Sequence, residues 1–422
     1  MASNSLLTIS MITNETLDVL HNDCSFLRGV DRQYDSRFGN TGAQIGAQIN
    51  IRKPARYFLA RTQALQVQST QEEYATLTLD KWYQTGMNFS VKEMSLDIDE
   101  FSNRIIKPAI AVIASGIDSD GLDLFRTAIY NQVGTAGYTP GATGGSAGTY
   151  TDSSAPRIFL NAGALLSNFA VPKKDRRVVY GPDAQASSVA GLSGLLNDQS
   201  ALGKQYLDGD IQHALGFDFM VDQNYAMLST GSHAGSASAN VRGASQTGSS
   251  LITQGWTASQ TGILLAGETF TIDGVYSVNP ETQRSTGKLQ TFLVTADANS
   301  VGSGYSTLSI SPSIVVAGTG VANGTVTNSP SNTAVITLTS GAASKTNFYP
   351  LYGAFHRDAF TFGTADLELP NSVEFAGRAQ DEGVSLSIVK AYDINSHTYP
   401  CRVDVLGGWL AQRPEMACRI LG

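Results

Sequence analysis

Phe355-His356-Arg357-Asp358-Ala359-Phe360, Val403-Asp404-Val405-Leu406-Gly407-Gly408-Trp409 and Arg413-Pro414-Glu415-Met416-Ala417-Cys418-Arg419-Ile420 are the three runs, in this order, on which the fold turns. The first holds His-Arg-Asp, the opening of a protein-kinase catalytic loop. That loop needs an Asn five residues beyond the Asp and a metal-binding Asp-Phe-Gly. Here that position is Gly363, and no Asp-Phe-Gly occurs. His356-Arg357-Asp358 therefore reads as a surface turn whose Arg–Asp pair positions a loop. The remaining runs belong to a final stretch of alternating strands. Val384, Leu386 and Ile388 face one side, Tyr392-Asp393-Ile394-Asn395 make a turn, and Val403, Val405 and Leu406 form a returning strand. No catalytic chemistry needs this series.

Upstream, residues 229–345 are dominated by Gly, Ser, Thr and Val, with few charges. Strands are expected at 269–276, 289–295, 306–311 and 334–339. Gly274, Gly302-Ser303-Gly304 and Asn323-Gly324 mark the turns. Short strands with regular turns predict a small barrel or sandwich. It reads as inserted, because a mixed pattern resumes at Tyr349. Before it come a helix over 183–196, a buried strand at Val178-Val179-Tyr180, a charged turn, and a short helix over 161–169 that Pro172 stops. Residues 134–156 form a Gly-rich loop. The strongest helical stretch opens at Asp97-Ile98-Asp99-Glu100, where acidic residues suit the positive end of a helix dipole. Phe101, Ile105, Ile106, Ile110, Ile113 and Ile117 share its apolar face, and Pro108 kinks or restarts it. Residues 49–93 read as a long hairpin with a polar tip that reaches another subunit. Residues 6–22 read as a short amphipathic helix, followed by a loose arm.

With 422 residues the chain is long enough for two or three domains. Charged residues are 15 %, below the usual level of about 25 %, and Gly is abundant at 42, which favours a β-rich, loop-rich class. A net charge of −8 argues against a sequence-reading nucleic-acid binder, though not against a passive container for DNA. Cys24, Cys401 and Cys418 are odd in number and have no metal spacing, so reduced, buried thiols are expected. Neither a signal peptide nor a membrane span is legible, and a soluble cytosolic product is expected.

The other motifs are weak. Gly144-Gly145-Ser146-Ala147-Gly148 fits a nucleophile elbow only as letters, since no strand precedes it and no helix follows. Gly42-Ala43-Gln44-Ile45-Gly46 lacks the Lys-Ser/Thr of a phosphate loop. The five histidines show no ligand spacing, and Asp118-Ser119-Asp120 reads as a solvated helix boundary. Lys173-Lys174-Asp175-Arg176-Arg177 is the one dense charge cluster; a solvated turn is its bland reading, and contact with DNA or an acidic neighbour its functional one. No cofactor and no metal are expected.

Three further stretches carry a resemblance: Leu7-Thr8-Ile9-Ser10; His213-Ala214-Leu215-Gly216-Phe217-Asp218; and Leu265-Ala266-Gly267-Glu268-Thr269-Phe270-Thr271-Ile272-Asp273-Gly274-Val275, with Lys288-Leu289-Gln290-Thr291-Phe292 after it. In order along nearly the whole chain, these parts resemble tailed-phage major capsid proteins with the HK97-like fold, and the P22-type coat proteins most of all. The resemblance implies an α+β chain: N-terminal arm 1–45, extended loop 46–93, spine-helix region 94–134, axial domain 135–228 and 346–373, inserted β domain 229–345, and peripheral strands with a C-terminal return over 374–422.

It also implies an enzymatically inert shell subunit. Its partners would be itself, in pentamers and hexamers, a scaffolding protein, a portal protein and double-stranded DNA held without sequence preference. No membrane is involved; assembly would occur in the host cytoplasm and the product would be the virion capsid. Candidate subunit or scaffold contacts are Glu15, Asp18, Asp23, Arg52, Arg56, Arg61, Glu72, Glu73 and Trp256. Candidate DNA-side residues are Lys173, Lys174, Arg176 and Arg177. The family's inserted domain carries a charged bridging loop; here residues 232–267 hold only Arg242 as a formal charge. Contacts from that loop would thus be apolar or hydrogen-bonded, through Trp256. The competing class is a secreted or virion-surface β-rich binding or appendage protein, which the Gly/Ser/Thr content fits and the helical spine does not.

Overall fold

The computed structural model describes residues 24–34, 48–57, 59, 63–68, 72–90, 107–140, 157–192, 211, 213–233, 239–318, 321–341, 348–370, 373, 375–381 and 384–422. In chain order the first elements are β1 (Asp31–Tyr34), β2 (Gln48–Arg52), β3 (Tyr74–Thr78), β4 (Lys81–Ser90), α1 (Lys107–Leu122), α2 (Leu124–Thr127), β5 (Gln132–Gly134), α3 (Arg157–Asn168), β6 (Arg176–Tyr180) and α4 (Pro182–Leu192). Then follow β7 (His213–Ala214), β8 (Phe217–Val221), β9 (Ala226–Ser229), β10 (Asn240–Val241), β11 (Gly248–Gln254), β12 (Thr269–Val278), β13 (Ser285–Val294), β14 (Ser306–Ile314) and β15 (Ile336–Leu338). The last are β16 (Phe348–His356), β17 (Phe360–Ala365), β18 (Phe375–Asp381), β19 (Val384–Lys390), β20 (Thr398–Ala411) and β21 (Ala417–Leu421). The architecture is α+β, as expected. Packing divides the chain into two compact units, Met1–Arg52 with Tyr74–Gly121 and Phe360–Gln412, and Lys53–Glu73 with Leu122–Ala359 and Arg413–Gly422.

In the first unit β1, β17, β20, β19 and β18 lie side by side, and β4 also pairs with β20 along its full length. β2 pairs with β3, Gln48 opposite Thr78, so the hairpin expected over 49–93 is narrower: it closes at Thr78, and residues 81–90 join β20 instead. One face of α1 is buried at Ile110, Ile113, Ala114, Ile117 and Asp118, the three-to-four spacing of a helix stripe. Each fully buried isoleucine stabilises the fold by roughly 1.5–3 kcal/mol. The expected stretch from Asp97 to Ile106 lies outside the described residues. Asp118 corrects a sequence expectation. It is buried rather than solvated, because its carboxylate accepts the backbone N–H groups of Phe26 (3.2 Å) and Leu27 (3.1 Å), which open a short 3-10 turn.

In the second unit the seven-stranded sheet runs β5-β21-β16-β6-β8-β7, with β9 also on β16. Its core includes Ile158, Phe159 and Leu166 of α3, Val178 and Tyr180 of β6, and Cys418 and Ile420 of β21. The C-terminal run therefore does return to the body, antiparallel to β16 and parallel to β5. His213-Ala214-Leu215-Gly216-Phe217-Asp218 is the β7–β8 hairpin. Leu215 and Gly216 both take positive φ, 54° and 82°, as a tight two-residue turn demands.

β9 and β16 are neighbours in this sheet, yet residues 230–347 separate them in sequence. Between them, β10-β11-β14-β13-β12-β15 form a six-stranded sheet that closes on itself. Asn240 bridges Val335, the Val241 amide donates to Ala334 O (2.9 Å), and the Ile336 amide donates to Ala239 O (2.9 Å). Of the two expected forms this is the barrel, filled by Leu251, Phe270, Ile272, Phe292, Leu308 and Ile310 among others.

His356-Arg357-Asp358 also needs correction. Arg357 and Asp358 are exposed, but His356 is buried, and the Asp358 amide donates to its Nδ1 at 3.2 Å. The turn is held by His356 with Asp358, not by an Arg–Asp pair. Burial holds the His356 imidazole below its ordinary pKa.

Candidate assembly surfaces

The segment between β2 and β3 presents apolar side chains to solvent. Tyr57, Leu59, Leu65 and Val67 are 54 %, 75 %, 89 % and 86 % exposed. Scattered exposed leucines are ordinary; four large apolar residues exposed in one segment are more than such scatter. The sequence reading stressed the polar tip and passed over these residues, although Tyr57, Leu59, Leu65 and Val67 were legible as an apolar series.

Of the charged candidates here, Arg56 reaches Glu415 at 2.6 Å, and Glu73 accepts a hydrogen bond from Asn323 Nδ2 at 2.8 Å. Both links lie within one unit. The ion pair is part-exposed, so it stabilises by no more than about 1 kcal/mol and can exchange partners. Arg52 and Glu72 are exposed at the base of the segment. Glu15, Asp18, Asp23 and Arg61 lie outside the described residues.

The basic cluster splits. Lys173, Lys174 and Asp175 are exposed and Arg177 is half-buried, but Arg176 is turned inward and is only 6 % exposed. Its guanidinium donates to Pro172 O (2.8 Å), Val171 O (2.6 Å), Gly163 O (3.1 Å) and Ser167 Oγ (3.2 Å). These carbonyls belong to α3 and to the turn after it, so the guanidinium ties that turn back onto the helix. Arg176 is therefore a buried tie between α3 and the turn after it, and burial lowers its pKa. It is removed from the DNA-side candidates.

Trp256 is corrected likewise. It is 5 % exposed, sits in the barrel core, and donates Nε1 to Thr253 Oγ1 at 2.7 Å. A buried indole finds its partner inside the fold, so Trp256 offers nothing to a neighbouring subunit. Arg242, the lone charge of residues 232–267, stacks 3.8 Å over the Tyr305 ring.

Among the described residues no group of three or more His, Cys, Asp or Glu side chains is arranged to hold a metal ion, and no helix is long and apolar enough to cross a membrane. Cys24, Cys401 and Cys418 are buried and in no disulfide, and burial pushes Cys418 up to about 12.

A family model described as "P22 coat protein - gene protein 5" matches residues 1–422. No curated protein sequence matches the chain at a significant level. Among solved structures, one of Mycobacterium phage Che8 aligns over 94 % of this chain and 90 % of its own, at 10 % identity and TM-score 0.45. The mature capsid of bacteriophage PhiM1 aligns over 94 % and 86 %, at 10 % identity and TM-score 0.43. The CUS-3 coat protein I-domain aligns over 24 % of this chain and 95 % of its own, at 25 % identity and TM-score 0.19. At these TM-scores the family match alone carries the assignment.

Proposed function

The chain belongs to the P22 coat protein family and is a major capsid protein of a tailed bacteriophage, and from that premise we propose how it builds its shell. Copies join as pentamers and hexamers, guided by a scaffolding protein in the host cytoplasm, into an icosahedral container with a portal, which encloses double-stranded DNA. The subunit is not an enzyme; its work is done by surfaces. Its fold is the HK97-like capsid fold, with residues 229–345 as an inserted domain and residues 1–45 as an arm.

The single observation that carries this reading is the family match from residue 1 to residue 422. Supporting it, the segment over residues 53–73 exposes an apolar series suited to a neighbouring copy, with Arg52, Arg56, Glu72 and Glu73 as its polar margin. Each contact need only be modest, because many act together in a closed shell. Lys173, Lys174 and Arg177 are the residues offered to DNA. Glu15, Asp18 and Asp23 are offered to a basic element of the scaffold; normal scaffold-dependent assembly after all three are changed to Lys refutes that part. Electron microscopy of the expressed chain, with and without a scaffold partner, tests the whole. Closed shells or capsid-like sheets are expected, and dispersed monomers or trimers under both conditions overturn it.

A further inference from the structure

Residues 230–233, just after β9, and residues 339–341, just after β15, lie on the two connections between the barrel and the seven-stranded sheet. A single carboxylate holds both. Glu268 is fully buried, and its Oε2 accepts the amides of Gly231 (2.8 Å) and Leu265 (2.7 Å). Its Oε1 accepts Ser340 Oγ (3.3 Å) and lies 3.4 Å from His233 Nε2. A second buried charge enters from the other end of the sequence. Arg419 of β21, also fully buried, donates to Gln132 Oε1 (2.8 Å), Gly267 O (2.5 Å) and Thr269 Oγ1 (2.6 Å). Thr269 passes the link on, donating to Gln132 Oε1 (2.7 Å) and meeting Thr339 Oγ1 (2.8 Å); Gln132 Nε2 donates to Thr339 O (2.7 Å).

Burial pushes Arg419 down to about 9, and the Glu268 charge opposes that shift. Buried charges are tolerated only when paired and hydrogen-bonded. Apolar contact would let the barrel slide, because it is non-directional. This network is directional, and a small rotation of the barrel breaks several of its bonds together.

We propose that Arg419 and Glu268 form a charge lock that holds the barrel in one orientation on the seven-stranded sheet, and that this fixed orientation keeps successive subunits equivalent enough to close a uniform shell. The second half rests on the coat-protein function above; the first does not.

Hydrogen exchange on the full-length subunit tests the lock. Arg419→Met removes the donors to Gln132, Gly267 and Thr269, and Glu268→Gln removes the charge that accepts the Gly231 and Leu265 amides. Each should speed exchange of the Gly231, Ser232 and Leu265 amides on the order of a hundredfold, the scale of losing hydrogen bonds to a buried charged group. The Leu251 and Leu308 amides inside the barrel should stay protected. The double variant should fall short of the two single effects combined, as for coupled sites. Unchanged connection amides, full additivity, or equal loosening of the barrel interior each overturns the lock. Should Arg419→Met fail to fold, Thr269→Val keeps both charges and removes the bridging hydroxyl. About a tenfold rise at the same amides is expected, and no rise overturns the lock. Electron microscopy of the assembled variants reads the second half. Mixed particle sizes are expected where the parent gives one size, and uniform shells from a loosened variant refute the link to assembly. A parent chain that forms no shell, with exchange behaving as described, sinks the assembly function and leaves the lock standing.

Discussion

Gly121→Ala sets two effects of known size against each other. Gly121 lies in the last turn of α1, and replacing a helical glycine by alanine favours the folded state by up to about 1 kcal/mol. A Cβ at this position would sit 2.6 Å from Trp409 Cζ2 and 2.9 Å from two ring atoms of Phe26. Ordinary carbon contact is about 3.5–4.0 Å, so the methyl intrudes by about 1 Å on two rings. Neither ring is free to swing. Phe26 is fully buried, stacks on Trp409 at 5.4 Å and packs on Phe360 at 5.6 Å. Trp409 donates Nε1 to Ile117 O at 3.1 Å and lies 4.7 Å from Phe362. Overpacking of a close-packed site costs about 1–3 kcal/mol, and two pinned rings place this case at the upper end. The net expectation is a loss of about 1–2 kcal/mol, read as a lower urea midpoint with an unchanged slope. Phe26→Leu in the same background should restore part of the loss, because the two sites share a contact. A Gly121→Ala chain as stable as its parent, or more stable, refutes the packing argument.

Three other outcomes follow from the same geometry. Arg176→Met should cost at least about 2 kcal/mol in thermal or urea unfolding, since it strips donors from several buried carbonyls, whereas Lys173→Ala with Lys174→Ala should stay within about 0.5 kcal/mol; equal effects would contradict the assignment of Arg176 as a buried tie. All three thiols should resist a chromogenic thiol reagent in the native chain and react together on unfolding, because all are buried and burial raises Cys401 and Cys418 out of the reactive thiolate range; fast native labelling of Cys418 would refute its burial. For His356 the folded pKa is depressed, so its contribution is present above the unfolded value of about 6.5 and is lost as pH falls through the lower folded value. The parent should therefore lose stability relative to His356→Gln below about pH 6.5, by at most about 1.4 kcal/mol per pH unit, in urea titrations of both chains.

Much was legible in the sequence. Local periodicity marked the buried stripe of α1, the strands β12, β13 and β14, and the return of β21, because the spacing of apolar residues reports which face of an element is buried. β11 was missed: Gly248–Gln254 is rich in Ser and Thr, and its buried Leu251 is too isolated to read as alternation. The apolar series from Tyr57 to Val67 was present, yet the polar residues between its members drew the reading instead. Arg176, Trp256 and Asp118 were misplaced for one common reason. Each is polar or amphipathic, and its burial depends on a partner that no local rule names.

The sequence by itself determined that this is an α+β coat protein, since the order of its parts and the family match both span the chain. Only the tertiary structure decided that β10 closes against β15, where Asn240 meets Val335. It alone decided that Arg419, near the C-terminus, meets Gly267 and Thr269. Backbone pairing and buried charge are settled between residues distant in sequence, by which groups remain to satisfy one another once water is excluded.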